Sequence, residues 1–151
     1  MHVYRICRAP YRALDGEGAR RYGGRWNEPG VAVVYTASSL SLAALEGLVH
    51  LDPGEVPDDL LAQTIDVPDD VIAQTVRVAD LPSGWAQMVE HPACRALGTE
   101  WARAGATAGL RVPSAPVPHE QNVLLNPAHP EFARIIVLAE RAFTFDPRLL
   151  S

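Results

Sequence analysis

At 151 residues, 48% hydrophobic and 21% charged, the chain has the size and make-up of one globular domain, able to bury roughly 68–70% of its unfolded surface, and the disordered and fibrous classes drop out. All thirteen basic residues are arginine, none is lysine, and eighteen acids bring the net charge to -5, which argues against a general nucleic-acid binder. The charge is uneven: residues 1–25 hold six arginines against Asp15 and Glu17, a net +4, and the remainder carries -9, so the basic quarter either draws in a small anion or pairs with acidic neighbours.

Cys7 and Cys94 are too few and too far from CxxC spacing for a disulfide framework or a zinc site. Arg5 and Arg8 interrupt any apolar signal region, and no run approaches the ~20 apolar residues of a membrane helix. A cytoplasmic protein, acting as the whole chain and with no membrane role, is expected.

Val3 to Cys7 reads as a short opening strand, and Tyr11 to Tyr22 as loop. GEGARRYGG superficially matches a dinucleotide fingerprint, but Arg21 stands where the third glycine belongs and no helix is expected after it. Gly23 and Gly24 give the backbone freedom just before Arg25, which suits a guanidinium that must be aimed. NEPG (27–30) carries a turn with Pro29 second and Gly30 third, the type II preference.

Val31 to Ala37 is an apolar, β-branched run that predicts a buried strand. With period two, Val31, Val33 and Tyr35 share one face and Ala32, Val34 and Thr36 the other. Ser38 or Ser39 is suited to cap a helix running to about His50. In that helix Leu42, Leu45 and Val49 share a face with Glu46, the only charged residue between Val31 and Val49. The carboxylate is therefore expected to point at the core.

Leu60 and Leu61 are expected in a short helical piece, and Ala62 to Val67 and Thr75 to Val78 as strands around a Pro68-Asp69-Asp70 turn. Pro92 to Ala104 reads as a helix, with Pro92 early, Ala93, Leu97 and Trp101 at spacings of four, and Gly105 near its end. Leu110 to Val112, Val123 to Leu125 and Arg134 to Ala139 complete the strands. Ser114, among three prolines, is placed on a loop or edge, and Phe143 to Leu150 form a tail. No repeat or second-domain linker is visible, so residues 1–151 are expected to form a single α/β (α+β) domain, a mixed sheet with flanking helices.

The five histidines (2, 50, 91, 119, 129) form no HxxxH or other short ligand pair, so no metal site is expected. Ser114 lacks a G-x-S-x-G elbow, which argues against a serine hydrolase. Glu46, Arg25 and Tyr35 remain. Since a buried carboxylate is costly unless paired, two readings fit them: a structural Arg25–Glu46 bridge within a non-catalytic binding module, or a site.

At these residues the sequence resembles the RES-domain family, the toxin half of bacterial RES–Xre toxin–antitoxin pairs. GGRWN with Arg25, VVYTASSLSLAALE with Tyr35 and Glu46, and LRVPSA…NVLLNPAHPEF with Ser114 and Asn122 carry the likeness in order. LPSGW at Leu81 and FDPRL at Phe145 extend it over nearly the whole chain. The resemblance implies a fold related to ADP-ribosyltransferase toxins, NAD+ as substrate rather than cofactor, and growth arrest by NAD+ hydrolysis or phosphorolysis, phosphate then being a co-substrate. The alternative that the resemblance implies is a mono-ADP-ribosyltransferase that modifies a cellular protein, as for some relatives.

It further implies an Xre-like helix-turn-helix antitoxin that occludes the site, with a homodimer in the complex and no direct nucleic-acid contact by this chain. Catalytic roles fall on Glu46, Arg25 and Ser114, and NAD+ contacts on Arg25, Tyr35, Ser114 and Asn122. Glu46 would stabilise the oxocarbenium-like state, Arg25 the pyrophosphate, and Tyr35 would stack on the nicotinamide or ribose. Ser114 follows Glu46 in the chain, the reverse of the better-known transferases with Arg, Ser and Glu. His119 stands where an acid is expected in relatives, and no mechanism attaches to it.

Overall fold

A computed structural model describes residues 1–151. Its frame is one seven-stranded sheet built from β1 (His2–Arg8), β2 (Val34–Ala37), β3 (Leu60–Asp66), β4 (Gln74–Thr75), β5 (Gly109–Pro113), β6 (Gln121–Leu125) and β7 (Ile136–Ala142), in the order β4-β5-β6-β2-β1-β3-β7. Every neighbouring pair is antiparallel except β4 with β5. Three helices complete it: α1 (Glu17–Tyr22), α2 (Leu40–Leu48) and α3 (Pro92–Ala104).

Alternation along the strands sorts the core onto two faces. Val3, Val34, Ile65, Val123 and Leu125 pack together on one side. Leu110, Val112 and Leu124 meet Trp26, Trp85, Cys94 and Trp101 on the other, beneath α3. Tyr4, Ile6 and Ala37 continue that second face under Leu42 and Ala43 of α2. The expected split of the β2 region is found, with Val33 and Tyr35 on the helix side and Val34 opposite. The strand itself starts at Val34, because Val31 to Val33 lead out of the turn without ladder partners.

The turn forms with Glu28 first, its carbonyl accepting from Val31 N, and Gly30 at φ +100°. Ser39 caps α2, its hydroxyl accepting from Leu42 N, and Phe145 of the closing segment is buried and packs on Gly47. α3 spans the predicted residues and stops at Gly105, whose φ of +65° is a left-handed cap.

Several local expectations are overturned. Residues 17–22 form α1 rather than loop, anchored by Gly23 N on Ala19 O and Gly30 N on Arg20 O. Leu60 and Leu61 open β3, not a helix, because Arg8 and Cys7 of β1 pair with them. The strand at Thr75 ends there, and Val78–Asp80 is a 3-10 turn closed by Asp80 on Arg77. β7 starts at Ile136 and runs on to Ala142, because Pro130–Arg134 form a 3-10 turn. The tail contains another, Pro147–Leu150. On α2 the apolar stripe splits: Leu42 is buried, whereas Leu45 and Val49 are exposed.

Candidate active site

Glu46 descends from α2 onto the sheet face that also carries Tyr35, Ala37 and Asn122. Register brings them together: Ala37 pairs with Asn122, which pairs with Val112 on its other side. Ser114 follows two residues after Val112 and so stands on the same face. The small Ala37 beside Asn122 leaves room for the carboxylate to reach the sheet. Asn122 Nδ2 donates to Glu46 Oε1 at 2.6 Å, and Ser114 Oγ donates to the same oxygen at 2.7 Å. Neither touches Oε2. Short bonds to an ionised acceptor are the strong kind, and two of them fix the plane and direction of the carboxylate.

The two donors differ in access. Ser114 is wholly buried, and its hydroxyl also accepts from Val117 N at 3.2 Å. It sits, as expected, on the ordered loop that leaves β5 at Pro113, and Ser114 N on Glu120 O at 2.9 Å ties the two ends of that loop together. Asn122 lines a cavity of about 540 Å³ together with Glu46, Tyr35, Arg25 and Tyr4, while Ser114 does not. Asn122 Oδ1 is buried without any hydrogen-bond partner, an arrangement that costs about 1–3 kcal/mol.

Arg25 reaches the cavity from the GGRWN loop, but not as a partner of Glu46. Its Nη1 donates to the carbonyls of Trp85 at 3.0 Å and Met88 at 2.7 Å. The Arg25–Glu46 bridge, and with it the binding module built on that pair, is overturned: Ser114 and Asn122 already hold the carboxylate, and the Leu81–Glu90 segment supplies carbonyls to the guanidinium. Only Nη1 is engaged, so Nε and Nη2 keep their donors.

Tyr35 lines the cavity with its ring, but its hydroxyl turns inward, donating to Asn27 Oδ1 at 2.6 Å and accepting from Trp26 N at 3.0 Å. Burial pushes this phenol well above the usual tyrosine range, and the Trp26 N–H, Arg95 and Arg25 pull it back only in part. It is a fixed, neutral hydroxyl.

Residues that the sequence did not single out complete the surroundings. α3 clasps the arginine loop: Arg95 Nε donates to Gly24 O, Thr99 Oγ1 accepts from Glu28 N, and Gly98 lies against the Trp26 carbonyl so closely that a Cβ there would overlap it. Trp85 stacks at a tilt on Trp26, 6.1 Å between centroids. His50, on the turn after α2, also faces the cavity. The only prior signals for these contacts were the glycine inside α3 and the tryptophan of LPSGW.

A family model described as RES domain matches residues 2–146. A Sphingobium sp. protein named Prs ADP-ribosylating toxin is 44% identical over 148 residues, covering 91% of this chain and 86% of the relative. A protein from Photorhabdus laumondii named Toxin Res is 40% identical over 99% of this chain and 97% of its own length, and one of the same name from Yersinia enterocolitica is 40% identical over 99% of both. A chain in the crystal structure of the M. tuberculosis MbcT-MbcA toxin-antitoxin complex superposes with a TM-score of 0.76 at 24% identity, covering 99% of this chain and 86% of that one.

Proposed function

The chain belongs to the RES-domain family, and on that premise we propose that it is the toxin of a cytoplasmic toxin–antitoxin pair, consuming NAD+ by cleaving the nicotinamide–ribose bond. The observation that carries the reading is the Glu46 carboxylate, clamped through one oxygen on the wall of a cavity of about 540 Å³, within the range of small-molecule sites.

Breaking the bond sends its electron pair to the nicotinamide nitrogen and leaves positive charge spread over the ribose C1′ and ring oxygen. A carboxylate fixed before the reaction stabilises that charge without reorganising. An acceptor oxygen, from water or phosphate, then bonds C1′ and gives up its proton. Arg25 offers Nε and Nη2 to the pyrophosphate, and the ring of Tyr35 borders the same space. Ser114 and Asn122 work through Glu46 by holding it, and the orphaned Asn122 Oδ1 is consistent with a side chain kept for that bond rather than for its own satisfaction.

Purified protein incubated with NAD+, with and without phosphate, is expected to release nicotinamide, as free ADP-ribose or its phosphate accumulates. Folded protein that releases none in either condition, and labels nothing in lysate, removes the proposal. A second reading, transfer of ADP-ribose to a protein, is favoured by the name of the 44% identical relative. Labelled NAD+ in cell lysate separates the two, a discrete labelled band marking transfer.

The partner is an Xre-like antitoxin that covers the cavity mouth, where Tyr22 and Val89 stand exposed, with homodimerisation inside the complex. The neighbouring fold occurs in a toxin–antitoxin complex, which supports a partner of this kind. Adding the antitoxin is expected to suppress nicotinamide release.

A further inference from the structure

We propose that Asn27 and Tyr35 are positioning residues that aim Arg25 into the cavity, a role that rests on the reading of Arg25 as the contact for an anionic part of the substrate. Arg25 stands at the tip of a tight loop whose ends, Gly24 and Asn27, are bridged by Gly24 N on Asn27 O at 3.0 Å. A long side chain at such a tip keeps its direction only if the backbone beneath it is fixed.

Asn27 fixes it from inside. The residue is wholly buried, and its Nδ2 shares two N–H groups among the carbonyls of Ala19 in α1 at 2.9 Å, Glu28 at 3.1 Å and Val31 at 3.0 Å. Its Oδ1 takes the Tyr35 hydroxyl, and that hydroxyl takes the N–H of Trp26, the residue next to Arg25. One side chain therefore joins α1, the turn and strand β2 at the foot of the arginine. An aspartate would meet the three carbonyls with acceptors only, so an amide is the group that fits. Gly24 completes the device: a Cβ there would come within 2.7 Å of the Tyr35 hydroxyl, so only glycine lets the loop close on the tyrosine.

The test is Tyr35→Phe, which removes one oxygen and keeps the ring beside the cavity. In the parent protein, Arg25 side-chain 15N relaxation is expected to report a rigid guanidinium. In folded Tyr35→Phe that rigidity is lost, KM for NAD+ rises about tenfold, and kcat stays within about threefold. Gly24→Ala, which pries the same contact apart, is expected to give the same two effects.

An Arg25 as rigid in either folded variant as in the parent overturns the proposal, and so does a fall in kcat with KM unchanged, the pattern of a tyrosine acting at the reacting bond. The relaxation measurement needs no turnover. A parent protein that releases no nicotinamide thus removes the function without deciding the positioning, which the relaxation result decides on its own.

Discussion

At Glu46 the two oxygens have unequal surroundings, and that inequality assigns the work. Oε1 receives both Ser114 and Asn122, so in the proposed reaction Oε2 is the atom left to face developing charge. Ser114 cannot act as a nucleophile, because it is fully buried behind the carboxylate and its hydroxyl is committed at both ends. Ser114→Ala is expected to lower kcat about tenfold or more with KM nearly unchanged, since one of two bonds orienting the carboxylate is lost and none to substrate. Glu46→Gln keeps the shape and removes the charge, and is expected to lower kcat by about 10²–10³. Steady-state kinetics on NAD+ checks both. A Ser114→Ala enzyme with raised KM and intact kcat would instead place the serine at the substrate.

At the scale of elements, the arginine loop is held between the sheet and α3, and α3 fits only because Gly98 has no side chain. A methyl group there would overlap the Trp26 carbonyl, and the obstacle is backbone on a buried tryptophan rather than a mobile chain end. Gly98→Ala is expected to cost about 2–4 kcal/mol despite the better helix propensity of alanine, read as a lower urea midpoint at an unchanged slope. A variant as stable as the parent would mean that α3 lifts off the loop freely. The limits of α3 were legible in the sequence, since Pro92 and Gly105 are local signals that act on their own backbone. The partner of α3 was not, because Gly98 and Trp26 lie far apart in the chain and no periodicity encodes their meeting.

The same division runs through the candidate site. Glu46, Arg25 and Asn122 were legible as residue types in a family pattern, whereas their hydrogen-bond partners depend on register between β2, β5 and β6. Helix α1 escaped notice because six residues are too few for a period to show, and Leu60 and Leu61 misled because pairing with β1 overrides their local preference.

Across the basic N-terminal quarter, the arginines divide into two kinds. Arg8, Arg20 and Arg21 pair with Asp59 and Glu17, whereas Arg5, Arg12 and Arg25 bond to backbone carbonyls. The paired set acts on stability through its carboxylates. Hydrogen bonds from Arg20 and Arg21 hold Glu17 down to about 2 from 4.5, and Asp59, Asp70, Asp80 and Asp146 are lowered from 3.8 chiefly by Arg8, Arg134, Arg77 and Arg148.

A carboxylate whose pKa falls on folding stabilises the native state fully above its unfolded value and loses that contribution as pH drops through its folded value. The melting temperature is therefore expected to stay level down to about pH 5 and to fall between about pH 4.5 and 2. These pairs lie at the surface and each contributes little, but five carboxylates titrating together make the fall measurable. Screening decides whether they are its cause: at about 0.5 M salt the Debye length shrinks below the ~8 Å of physiological buffer, and the acid-side slope is expected to flatten. A slope equally steep in high salt would assign the acid loss to groups inside the fold instead.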